Sequence, residues 1–172
     1  MCAAPMSLAA APASPPIVTE RPKDASAVDA LILRAFGPGR FAKAAERLRE
    51  GREPRLDLSF LAWDAGRIIG CVRQWTVKVG DAPSIFLGPI AVEPGYRSHG
   101  LGGALIERAC EAVARGGHAS IVLVGDMPLF GPHGFVPAPR VLMPGPVDRR
   151  RVLARTLQPG ADLALEGLLT AA

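Results

Sequence analysis

Two glycines, Gly100 and Gly102, follow Arg97, Ser98 and His99 where an apolar run gives way to a helical pattern. Such a turn suits an anion. The first N–H groups of a helix have no partner within it, and the helix dipole makes that end positive. Glycine lets the backbone approach an oxygen closely or take a positive φ. Ser98 offers a hydroxyl as helix cap or phosphate donor, and Arg97 a charge-assisted contact. The stretch is not a common nucleotide loop. The third glycine of G-x-G-x-x-G would fall at Leu105, and no Gly-Lys-Ser/Thr follows. On spacing alone the turn reads equally as an anion site or as punctuation between strand and helix.

Other groups able to move a proton are sparse. His133, between Pro132 and Gly134, is a candidate proton donor near neutral pH or a surface-turn histidine. Asp126 and Glu93 close two strand patterns. Either could orient a water as a base, and either could equally be a cap or a solvated carboxylate. No two of Cys2, Cys71 and Cys110 share metal-ligand spacing, so no metal is expected. Cys71 and Cys110 lie in apolar runs and read as small buried hydrophobes. Three such cysteines fit reduced thiols in a cytoplasmic protein.

The net charge of +4 is compatible with a phosphate-bearing ligand. The one tight basic cluster, Arg149-Arg150-Arg151, stands beside Asp148 and reads as a solvated turn. With aromatics at 5%, few rings are available to stack bases, which argues against nucleic acid. No apolar run is long enough to span a bilayer.

The elements that would position these groups follow from periodicity. Residues 1–16, rich in Ala and Pro, read as a disordered extension, and 17–172 as a single domain. Ile17–Thr19 is a short strand, and Asp24 can cap the helix marked by Val28, Leu31, Ile32 and Ala35. Phe41, Ala44, Ala45 and Leu48 repeat that spacing in a predicted second helix. Leu58–Trp63, Ile68–Val79 and Ser84–Val92 read as strands joined by turns at Asp64-Ala65-Gly66 and Gly80-Asp81. Pro89 within the last of these demands a bulge or a splay, because proline cannot donate to a ladder. A third helix runs from about His99 to Arg115, and Ile121–Val124 is a strand buried on both faces. Met127–Phe135 holds a short helix, and Val152–Leu157 a last strand.

From Leu87-Gly88-Pro89-Ile90-Ala91-Val92 through Arg97-Ser98-His99-Gly100-Leu101-Gly102, the chain resembles the cofactor segment of the GNAT superfamily of acetyl-CoA-dependent N-acetyltransferases. That family's Arg/Gln-x-x-Gly-x-Gly/Ala matches Arg97, Gly100 and Gly102. Val124-Gly125-Asp126 and Gly134-Phe135 resemble the "GD…GF" ending of one bacterial subgroup, and the likeness covers about Ile17 to Leu157.

The resemblance implies an α/β (α+β) acyl-CoA N-acyltransferase fold. Its central sheet is mixed, mostly antiparallel, flanked by helices and splayed between the fourth and fifth strands. The pantetheine arm of acetyl-CoA resembles a peptide and could pair with Ile90, Ala91 and Val92 at that splay. The Val92 N–H could serve as oxyanion donor to the thioester. The phosphates would lie on Arg97, Ser98, His99, Gly100, Leu101, Gly102 and Gly103, with Phe130 also against the cofactor.

Transfer would be direct, from acetyl-CoA to a small-molecule or protein amine, and a homodimer is compatible with the resemblance. Many relatives carry a tyrosine acid on the helix after the fifth strand. Here Phe130 or Leu129 takes that place, and the one tyrosine, Tyr96, reads as structural. His133 is the substitute acid best placed in sequence, and Asp126 a candidate base. Loss of the tyrosine leaves a second reading open: a non-catalytic acyl-CoA-binding or regulatory domain.

Overall fold

The computed structural model describes residues 14–172. The predicted extension over 1–16 therefore lies outside the described residues except for its last three. Of these, Pro16 accepts the Trp63 N–H through its carbonyl at 3.1 Å.

Among the described residues nine strands form one sheet: β1 Ile17–Thr19, β2 Phe60–Asp64, β3 Arg67–Val79, β4 Ala82–Val92, β5 Ser120–Val124, β6 Val136–Pro137, β7 Val141–Leu142, β8 Val152–Thr156 and β9 Gly167–Ala171. Along its main path the order is β1-β2-β3-β4-β5-β8-β6. Only β4–β5 is parallel on that path, as the crossover between them requires. The far end of β3 pairs with β9 through Val77, Lys78 and Val79, and β9 in turn pairs parallel with β7. The predicted mixed, mostly antiparallel sheet is thus present.

Two helices cover opposite faces of this sheet. Neighbouring strand residues point to opposite sides, so Leu61, Cys71 and Ala91 meet α1 (Ala25–Phe36) through Val28, Leu31 and Ile32. Phe60, Ala62 and Val72 instead meet α2 (Leu101–Arg115) through Leu101, Leu105, Ile106, Ala109 and Val113. Two further helices, α3 (Met127–Phe130) and α4 (Ala161–Ala164), are single turns.

Three expectations change. The predicted helix over 41–48 is two 3-10 turns, Pro38–Ala42 and Ala44–Leu48, hinged at Lys43, whose backbone is extended (φ −79°, ψ 144°). The third helix begins at Leu101 rather than His99, because Pro94–His99 forms its own 3-10 turn. Asp24 stands at the start of α1 but does not cap it. Its carboxylate turns back to accept from Arg21 N and Nε at 3.1 and 3.2 Å.

Candidate active site

The site lies where β4 and β5 part. Buried serines tie the two strands together at one end: Ser120 Oγ donates to Ser84 Oγ at 2.9 Å, and Ser84 Oγ to the Ser120 carbonyl at 3.2 Å. Ladder pairing covers only Ile85 with Ile121 and Phe86 with Val122. Beyond Phe86 the strands are no longer paired. The Gly88–Pro89 bond is cis, and Gly88 has a φ of +118°. The β3–β4 register slips there: Val72 faces Ile90 while Gln74 faces Leu87. Two residues of β4 thus oppose Arg73 alone, which is the bulge that Pro89 required.

The bulge decides where the last β4 residues aim their backbone. Glu93 N–H donates to the Ile69 carbonyl at 2.8 Å. Partners alternate along an antiparallel ladder, so Ala91 pairs with Cys71, its register partner. Ile90 and Val92 therefore turn their N–H and C=O groups away from β3, toward the gap. The Val92 carbonyl there accepts from Arg97 Nε at 3.0 Å.

A cavity of about 850 Å³ occupies this gap and extends beneath the segment between α1 and β2. On one side its lining includes Ile90, Ala91, Val92, Arg97, Gly102 and Phe130. Gly100 is the N-cap of α2 at φ +73°, the left-handed conformation that glycine adopts without strain. Ser98 makes no capping bond, so the expected cap is absent and the first N–H groups of α2 stay uncapped by a side chain. Ser98, His99 and Gly100 are exposed on the preceding turn. Leu101 buries its side chain against the sheet and offers only backbone, and Gly103 backs onto His133.

Phe130 is buried at the base of this side. A Cβ on Gly125 would stand 2.2 Å from its Cε2, so the ring fits only because residue 125 has no side chain. Leu129 also lines the cavity, so neither residue in the expected acid position carries a proton. Tyr96 bonds through its hydroxyl to Asp64 Oδ2, the structural role expected of it. Glu93 is held by Arg34 Nη2 at 2.7 Å. His133 lies against α2, its Nδ1 3.4 Å from Glu107 Oε1, and is not among the lining residues. Asp126 does line the cavity, with Oδ1 2.9 Å from Arg151 Nε.

Residues 26–130 match the Acetyltransferase (GNAT) family. The chain belongs to that family. It is 34% identical over 122 residues to "Uncharacterized N-acetyltransferase YhbS" of Escherichia coli strain K12, covering 69% of this chain and 72% of that protein. The crystal structure of Escherichia coli YhbS in complex with CoA superposes with a TM-score of 0.80 at 28% identity, covering 95% of this chain and 93% of the other. A GNAT family acetyltransferase from Brucella melitensis in complex with acetyl-CoA superposes with a TM-score of 0.59 at 26% identity, over 80% and 93% of the two chains.

The opposite wall of the cavity carries residues that no motif marked. Phe36 comes from the end of α1, Arg40, Lys43 and Arg49 from the segment after it, and Asp148 and Arg151 from the segment before β8. The basic triplet is only partly the solvated turn expected. Arg150 pairs with Asp148 at 2.8 Å in the open, whereas Arg151 reaches the cavity and holds Asp126. Among the described residues no group of three or more His, Cys, Asp or Glu could hold a metal ion. No helix there is long and apolar enough to cross a membrane.

Proposed function

We propose that this protein transfers an acetyl group from acetyl-CoA to a primary amine. The observation that carries the reading is the outward-turned backbone of Ile90 and Val92 beside the α2 start, in a GNAT cleft. The cavity fits the group: a peptide-like pantetheine arm needs an unpaired strand edge, and a pyrophosphate needs unpaired helix N–H groups. Ile90 and Val92 would hold the arm. Arg97 through Gly103 would hold the phosphates, with Phe130 flooring the arm's far end. When bound, acetyl-CoA supplies the thioester carbonyl and the thiol that leaves.

The Val92 N–H is the backbone donor available to polarise a carbonyl oxygen in the gap. Asp126, the lining carboxylate that follows β5, is placed to receive the amine proton, directly or through water, and Arg151 holds it in position. Leu129 and Phe130 offer no proton, so the departing sulfur takes one from solvent. His133 has no part in this route. The test is release of free thiol from acetyl-CoA against a panel of primary amines. Product with at least one amine supports the reading. Binding of acetyl-CoA with no turnover of any amine would favour a non-catalytic acyl-CoA-binding domain.

A further inference from the structure

Arg40 and Arg49 approach one carboxylate from two sides. Arg40 Nη2 donates to Glu46 Oε1 and Oε2 at 3.1 and 3.3 Å, and Arg49 Nη1 to Oε2 at 3.2 Å. The cluster therefore holds one positive charge in excess. It is also drawn out of water, with the Arg40 and Arg49 side chains 16% and 11% exposed. Arg49 Nε is buried with no acceptor among the described residues. Its guanidinium stacks over Phe86 at 5.2 Å, and Nη2 lies 3.5 Å from where a Cβ on Gly88 would be.

Both arginines and Lys43 line the cavity. Its two lining carboxylates, Asp126 and Asp148, are already engaged by Arg151 and Arg150. Burial, partly offset by Glu46, lowers the Arg49 pKa to about 10, as expected of a cation short of solvent and counter-charge. An uncompensated buried charge is costly, and a guanidinium satisfies it best with a planar oxyanion taken through two N–H groups.

We infer that the acceptor amine carries an oxyanion, a carboxylate or a phosphate, which Arg49 and Arg40 hold at the Gly88 wall of the cavity. This rests on the acetyl-transfer reading and names its substrate class. The anion supplies the missing counter-charge. The same positive surroundings disfavour an ammonium ion, so the bound amine is held in its neutral, nucleophilic form.

The full-length protein is assayed with acetyl-CoA and two matched pairs: β-alanine against β-alaninamide, and phosphoethanolamine against ethanolamine. The anionic member of at least one pair should be preferred by about tenfold or more in kcat/KM, and the preferred pair identifies the oxyanion. Calorimetry should show the preferred anion binding the protein and its neutral partner not binding. Arg49→Met removes the charge at similar length. It should abolish the preference by raising KM for the anionic amine, while the melting shift produced by acetyl-CoA persists. Equal use of anionic and neutral amines, or a preference that survives Arg49→Met, would overturn the inference and leave the acetyl-transfer reading standing. Binding of acetyl-CoA without turnover of any amine would overturn both.

Discussion

The ring of Phe130 occupies the space that a side chain on residue 125 would need: a Cβ on Gly125 would lie 2.2 Å from Cε2 and 2.6 Å from Cδ2 of that ring. The contact locks the end of β5 to α3 and sets the floor of the cleft. Gly125→Ala must push the ring from its pocket against Phe135, where the two rings now meet edge to face at 5.8 Å. Overpacking of this kind costs about 1–3 kcal/mol. Chemical denaturation should show that loss, and titration should show weaker acetyl-CoA binding. Unchanged stability and affinity would mean that the ring can move freely.

A second ion-pair cluster ties β3 to the end of β1 and to α1. Arg73 Nε lies 3.0 Å from both Glu20 carboxylate oxygens, and Nη1 lies 2.6 Å from Asp29 Oδ1. Glu20 is buried, so Arg73→Met strands its carboxylate away from water and should destabilise the fold by about 3–5 kcal/mol. Glu20→Gln in the same chain should recover part of that loss. Urea unfolding of the single and double variants checks both signs.

Alkaline pH should weaken the fold through two thiols. Burial pushes Cys71 up to about 12 and Cys110 up to about 11, from a usual value of 9.0. The unfolded chain then loses its thiol protons first. The contribution of each thiol is complete below pH 9 and is lost as pH rises through its folded value. Neither thiol should react with an alkylating reagent at pH 8 until denaturant is added, because the thiolate is the reactive form. Mass analysis of labelled peptides reads this directly.

The elements around the β4–β5 gap could be read from the chain because their signals are local. Gly100 marks the helix start by backbone freedom, Pro89 marks the bulge by its missing N–H, and the Leu101–Val113 spacing marks the buried face of α2. The wall lined by arginines could not. Arg40, Arg49 and Arg151 come from distant stretches and meet only after folding. The spacing of Phe41, Ala44, Ala45 and Leu48 suggested one α-helix there. In the fold, Lys43 is extended and Glu46 is gripped from both sides, a tertiary arrangement that overrides local propensity. The β6 and β7 strands have two residues each, too few for any periodicity, and β9 is defined by its distant partner on β3.

Binding of acetyl-CoA at the α2 start is tested most directly by thermal unfolding with and without it. At a hundred times its dissociation constant a ligand adds about 2.7 kcal/mol, which for a chain of this size raises Tm by roughly 5–10 °C. Gly100→Asp should abolish the rise, because a carboxylate then sits where phosphate would bind. A Cβ at Gly100 meets nothing within 4 Å, and the backbone strain at its φ of +73° is smallest for Asp and Asn, which enter the left-handed region more readily than other side chains. Gly100→Asn, of equal shape without the charge, should keep part of the rise. No rise for the unaltered protein at millimolar acetyl-CoA, or an undiminished rise in a folded Gly100→Asp, would contradict the assignment of this turn.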